Sequence, residues 1–172
     1  MTPHEYVILV DEKDNEIGLM EKHEAHEKAL LHRAFSVFVF NDKGELLLQQ
    51  RATHKYHSGG LWTNTCCSHP RYNETTEDAS HRRLMEEMGF DCNLTKQFSF
   101  IYHSPFENGL SEHELDFVYT GNYNNNPSIN KDEVSDFRWV TLETLKDDIA
   151  QNPSNYTTWF QIIFNQYLNQ IS

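Results

Sequence analysis

The segment Trp62–Pro70, W-T-N-T-C-C-S-H-P, sets two adjacent cysteines, Cys66 and Cys67, just ahead of His69. A thiol that close to an imidazole can be a nucleophile, a metal ligand or a buried packing group. For either cysteine alone, packing is the default. Neighbouring residues on a strand point to opposite faces, so one of the pair should pack inward while the other faces a site. A structural zinc site is a poor reading, because C-x-x-C spacing is absent. Upstream, His23, His26 and His32 cluster, and Glu112 and Glu114 lie two apart in an extended segment. Both carboxylates then project from one strand face, about 7 Å apart along it. Imidazoles with carboxylates suit zinc, manganese or a related divalent ion, and oxygen-richer sites lean to magnesium or manganese. Taken singly, each piece is more often a capped surface histidine or a solvated strand face. Only the combination points to a metal.

These groups need elements to hold them. Tyr6–Val10 and Ile17–Met20 flank the polar D-E-K-D-N-E turn and read as a hairpin. Phe35–Phe40 and Glu45–Gln50 flank N-D-K-G and read as a second, more buried hairpin. Phe98–Tyr102, His113–Thr120 and Phe137–Val140 are further strand candidates, and Asn122–Asp132 is the most loop-like stretch. Thr75 followed by Asp78 resembles a capping box, and Gly89 sits where a helix-ending glycine belongs. They bracket a helix over about 77–88. A short helix over Leu142–Ala150 and a C-terminal one over Tyr156–Ile171 complete the set. Strands mixed with three helices predict a single α+β domain spanning residues 1–172, layered α/β/α around a mixed sheet.

Composition narrows the function. The chain of 172 residues is long enough for one core, and 11 Phe, 8 Tyr and 3 Trp make it an aromatic-rich globular sequence. A formal charge of −12 argues against nucleic acid as a partner, yet leaves room for a few cations gathered in one cleft. No apolar run is long enough for a membrane span, and Met1–Asp11 lacks a secretory pattern. Three cysteines, two of them adjacent, do not suit a disulfide framework. A reduced, cytoplasmic protein is expected.

The strings L-L-H-R-A-F-S-V-F-V-F, T-N-T-C-C-S-H-P and E-H-E-L resemble, in order and spacing, the type I isopentenyl-diphosphate isomerases of the Nudix superfamily. The resemblance runs from about Val7 to Trp159, and the T-N-T-C-C-S-H-P block is its most specific part. It implies a Nudix-type α/β/α sandwich and a monomer acting on small allylic and homoallylic diphosphates. It also implies Cys67 as catalytic thiol and Glu114 as catalytic carboxylate, assisted by Tyr102. The implied metal ligands are His26, His32, His69, Glu112 and Glu114, with His23 competing for the place of His26. That ion would be manganese, zinc or magnesium. A second, magnesium held with the diphosphate, is implied at Glu87. Lys22, Arg51, Lys55 and Arg83 match the diphosphate clamp.

The hydrolase signature of that superfamily, G-x5-E-x7-R-E-U-x-E-E-x-G-U, has U as a bulky apolar residue. Here Glu86–Gly89 aligns with its E-E-x-G, Arg82 with its Arg and Glu74 with an earlier Glu. Arg83 replaces a metal-side Glu, and Ser68 replaces the signature's first Gly. The charge reversal at Arg83 removes an acceptor and adds a phosphate-pairing guanidinium. The plainer reading of Arg83 with Glu87 is a helix-surface pair worth a few tenths of a kcal/mol. By the resemblance, Glu114 protonates the terminal alkene carbon, Cys67 removes a proton as thiolate, and the two roles are open to reversal. Neighbouring positive charge is expected to help the thiol ionise. Trp159 would lay its π face against the cation, although its spacing equally suits a core anchor of the last helix. Two rivals remain: a Nudix hydrolase of a nucleoside diphosphate derivative, and a non-catalytic metal- or ligand-sensing module.

Overall fold

The structure is a computed structural model that describes residues 5–55, 57–106 and 108–172. The first four residues of the N-terminal stretch read above lie outside the described residues. Among the described residues one mixed sheet forms from β1 (Tyr6–Val10), β2 (Glu16–Glu21), β3 (His32–Phe40), β4 (Glu45–Arg51), β5 (Trp62–Thr63), β6 (Cys66–Ser68), β7 (Leu94–Pro105), β8 (Ser111–Asn122) and β9 (Val134–Thr141). Helices α1 (Lys22–Glu27), α2 (Thr76–Met88), α3 (Leu142–Gln151) and α4 (Thr158–Ile171) complete it.

Strand alternation divides the apolar residues between two layers. Phe35, Val37 and Val39 of β3 pack with Leu84 and Met88 of α2, whereas Phe38, Leu46 and Leu48 pack with Phe160, Ile163 and Phe164 of α4. Burying each such side chain is worth about 1.5–3 kcal/mol. The result is the expected α+β sandwich.

The second hairpin is only half correct. β3 and β4 pair at their turn, Phe40 with Leu46, and then separate. β3 instead runs parallel to β8 from His32↔Glu114 to Phe40↔Asn122, while β4 pairs with β9. The cause is the T-N-T block, which inserts between the diverging strands. The Thr65 hydroxyl accepts from the Val39 amide at 2.9 Å and donates to the Leu47 carbonyl at 2.6 Å. The Asn64 amide donates to the carbonyls of Val37 and Cys66. Side chains thus replace the missing rungs, and no hydrophobic pattern announces this.

Helix α2 opens on Thr75, whose hydroxyl accepts from the Asp78 amide at 3.0 Å, and closes on Gly89 at φ 74°. A Cβ at Gly89 would lie 2.3 Å from the Ser128 carbonyl oxygen. The close approach exists because the loop after β8 caps the helix: the Ser128 and Asn130 amides donate to the carbonyls of Met88 and Glu87. Two helix readings need correction. The short α1 was not expected; its first turn is capped by the Glu21 carboxylate. The last helix starts at Thr158 rather than Tyr156, because residues 153–155 form a tight turn and Tyr156 bridges to Trp62.

Replacing Thr65 by Val should leave a buried amide and carbonyl without partners. The expected loss is about 2 kcal/mol. A urea unfolding midpoint equal to that of the parent protein would contradict the spacer role.

Candidate active site

The parallel register His32↔Glu114 and the antiparallel register Tyr102↔Glu114 bring β3, β8 and β7 together at one end of the sheet. They open onto a cavity of about 310 Å³. The Glu114 carboxylate oxygen Oε2 lies 2.6 Å from His69 Nε2 and 3.1 Å from His32 Nε2. His26, on α1, joins them with its ring centroid 5.0 Å from that of His32. The ligand atoms of His26, His32, His69 and Glu114 all lie within 4.8 Å of one another. Carbonyl groups orient two of the rings: His26 Nδ1 meets the Lys22 carbonyl at 2.6 Å, and His32 Nδ1 meets that of Leu30 at 2.8 Å. Such backing aims the Nε2 atoms at a common centre. His23 is half-exposed and pairs with Glu27, so it is His26 that reaches the cluster.

Charge in this cluster is unbalanced. Burial, reinforced by the other imidazoles, lowers His26 and His69 to about 4, which leaves them neutral. Burial works against ionising Glu114 too, but hydrogen bonds from His32 and His69 outweigh it and hold the carboxyl well below its usual range. At His32 burial is likewise outweighed by Glu114, and the net shift is upward. Beside these, Glu112 is 3% exposed. Two buried acidic side chains beside three imidazoles form a donor set suited to a divalent cation.

Glu112 is the one expected ligand outside that tight group. Its Oε1 turns to His57 Nε2 at 3.0 Å, and its other oxygen accepts from Tyr102. Tyr102 also donates to Glu114. One hydroxyl proton can serve only one of these acceptors at a time. Burial, then the two glutamates, raise the phenol well above its usual value, so it keeps that proton.

The cysteines face opposite ways. Cys66 is fully buried against α2, with its thiol 3.4 Å from Glu87 Oε2. Cys67 lines the cavity together with Trp159. Burial pushes the Cys67 thiol well up; Arg51 pulls it down, but Glu87, Glu112 and Asp116 push the same way as burial. Arg51 thus favours the thiolate as expected, but burial is the larger effect and keeps the thiol protonated, with the carboxylates acting in the same sense as burial. Trp159 is 3% exposed in the α4 core, as the core-anchor reading expects, and it also walls the cavity, 5.3 Å from the Arg51 guanidinium.

Lys22, Lys55, Arg51 and Arg83 all line the same cavity. Lys22 pairs with Glu5, and Lys55 with Glu133. Arg83 contacts Glu86, Glu87 and, at 3.5 Å, Glu133. Arg82 forms a bidentate pair with Glu74, at 2.7 and 2.8 Å, and also meets Glu86. Glu87 lines the cavity from α2, away from the histidine group, and accepts from Arg83 and Gln49.

Sequence reasoning missed His57, Asp116 and the acidic partners Glu5 and Glu133. Asp116 continues the alternation of Glu112 and Glu114 into the cavity, accepts from Ser36 at 2.7 Å, and keeps its Oδ1 buried without a partner. Continuing E-x-E by two residues would have found it. Nothing in the sequence signals His57, which comes from the loop after β4.

The NUDIX domain profile matches residues 30–160. Isopentenyl-diphosphate Delta-isomerase 2 of Photorhabdus laumondii is 56% identical over 161 residues, which are 94% of this chain and 91% of that protein. Isopentenyl-diphosphate Delta-isomerase of Pectobacterium atrosepticum is 52% identical over 158 residues, 92% of this chain and 88% of that protein. Among solved structures, one from Deinococcus radiodurans shares the fold with a TM-score of 0.77 at 24% identity, covering 95% of this chain and 99% of that one. A histidine–glutamate cluster, a cavity-facing cysteine and this breadth of likeness agree. The chain belongs to the isopentenyl-diphosphate Delta-isomerase family of NUDIX-domain proteins.

Proposed function

We propose that this protein is an isomerase of isoprenoid biosynthesis that interconverts isopentenyl diphosphate and dimethylallyl diphosphate. The observation that carries the reading is that Cys67, Glu114 with its partner Tyr102, and Trp159 meet at one cavity. In the forward direction the alkene π pair takes a proton at the terminal carbon, leaving a tertiary cation. The electron pair of a C–H bond on the second carbon then forms the new double bond, and that proton leaves to the second group. Glu114 and Cys67 are the two groups, exchanging roles between directions. The raised thiol and the lowered carboxyl supply one protonated and one ionised partner, as a reversible proton exchange needs.

Tyr102 holds Glu114 by donating a hydrogen bond from its hydroxyl to the carboxylate. Trp159 offers its π face to the cation, worth about 2 kcal/mol or more where water is excluded. Arg51, Arg83, Lys22 and Lys55 bind the diphosphate by exchanging their carboxylate partners for phosphate oxygens, and that binding orients the reacting carbons. His26, His32, His69, Glu112 and Glu114 would hold a manganese, zinc or magnesium ion, and Glu87 a magnesium ion together with the diphosphate. Bound metal supplies charge that compensates the carboxylates and the phosphate oxygens. All these groups come from one chain, which suits a monomer.

Cys67→Ala should lower conversion of isopentenyl diphosphate at least about 1000-fold, while Cys66→Ala should keep it within about tenfold, followed by chromatography of the two isomers. The opposite ranking would assign the wrong thiol. Metal analysis of Glu112→Gln and His69→Asn should show loss of the cage ion; stoichiometric metal in both variants would refute the ligand set. Arg51→Ala should raise KM about 10- to 100-fold, consistent with losing a charge-assisted phosphate contact, in steady-state assays. Release of phosphate or nucleotide from nucleoside diphosphate derivatives, indifferent to Cys67, would favour the hydrolase alternative.

A further inference from the structure

His57 has no task in the reading above. Its ring is 8% exposed, stacks on Phe106 with centroids 4.8 Å apart, and meets Trp159 edge-on at 5.9 Å. Pairing with Glu112 alone would account for its Nε2 contact, but the surrounding geometry says more. The ligand atoms of His26, His57 and Glu112 lie within 4.8 Å of one another, as do those of His26, His32, His69 and Glu114. His26 belongs to both groups. With its Nδ1 at the Lys22 carbonyl, it has Nε2 to offer, and one nitrogen lone pair cannot bind two ions.

The two groups are distinct sets joined at His26, so an ion held by its Nε2 would border both. Ligands on opposite sides of a single ion, with bonds of about 2.1 Å, lie about 4.2 Å apart, inside the 4.8 Å limit that holds within each group. We propose that His57 is a further ligand of the metal cage, completing a shell of four imidazoles and the two strand glutamates around one divalent ion. The inference rests on the cage described under the proposed function and changes its chemistry. An additional nitrogen donor moves preference away from magnesium and towards a transition ion such as zinc or cobalt. It also explains the position of Glu112, which is drawn to the histidine beside which it would bind.

The test uses the full-length protein stripped with a chelator and reloaded with cobalt(II). Affinity is read by competition with a chromophoric chelator, and the shell by the visible absorption of the bound ion. His57→Ala and His57→Phe, the second retaining an aromatic ring between Phe106 and Trp159, should each weaken cobalt binding roughly tenfold or more. Both should shift the visible band and narrow the preference for cobalt over magnesium. Thermal unfolding of the stripped proteins shows that the variants fold. Parent-like affinity and spectrum in both folded variants would overturn the role of His57 and leave it a packing partner of Glu112. Failure of the parent protein itself to bind cobalt would instead overturn the underlying cage.

Discussion

An ionised carboxylate in a place that resists ionisation organises this protein. Glu114 is 5% exposed, and burial alone would keep it protonated. Hydrogen bonds from His32 and His69 reverse that tendency, and Tyr102 donates to the same carboxylate from a third part of the sheet. β3 delivers His32 through parallel pairing, β6 carries the residue before His69, and β7 delivers Tyr102 through antiparallel pairing. A slip of one residue in any ladder would turn the contributing side chain to the other face. The sheet registers are thus electrostatic requirements as much as packing ones.

Much of this was legible in the chain. Spacing showed Glu112 and Glu114 on one strand face, and the Cys66–Cys67 adjacency required opposite faces, which the structure realises against α2 and in the cavity. Thr75 and Gly89 bracketed α2 because caps are local chemistry. The parts that were not legible depend on distant partners. β3 and β4 looked like a hairpin because their turn is local, whereas Thr65 and Asn64, which separate them, act across the sheet. His57 lies in a loop without periodicity, and only the folded chain sets it beside Glu112.

Adjacent arginines of α2 take different partners. Arg82 ties Glu74 to Glu86, which locks the loop before α2 to the helix itself. Arg83, where the hydrolase signature has a glutamate, turns to Glu87 and Glu133 at the cavity rim. The two neighbouring arginines thus face different surroundings, and likeness of fold at 24% identity says little about chemistry.

Cys66 and Cys67 are joined by one peptide unit that passes through the thickness of the sheet. On one side that unit is held at Glu87 of α2, and on the other it carries a thiol into the cavity. The packing of α2 at Glu87 and the placement of the cavity thiol are therefore fixed by neighbouring residues, so neither can be altered without the other feeling it.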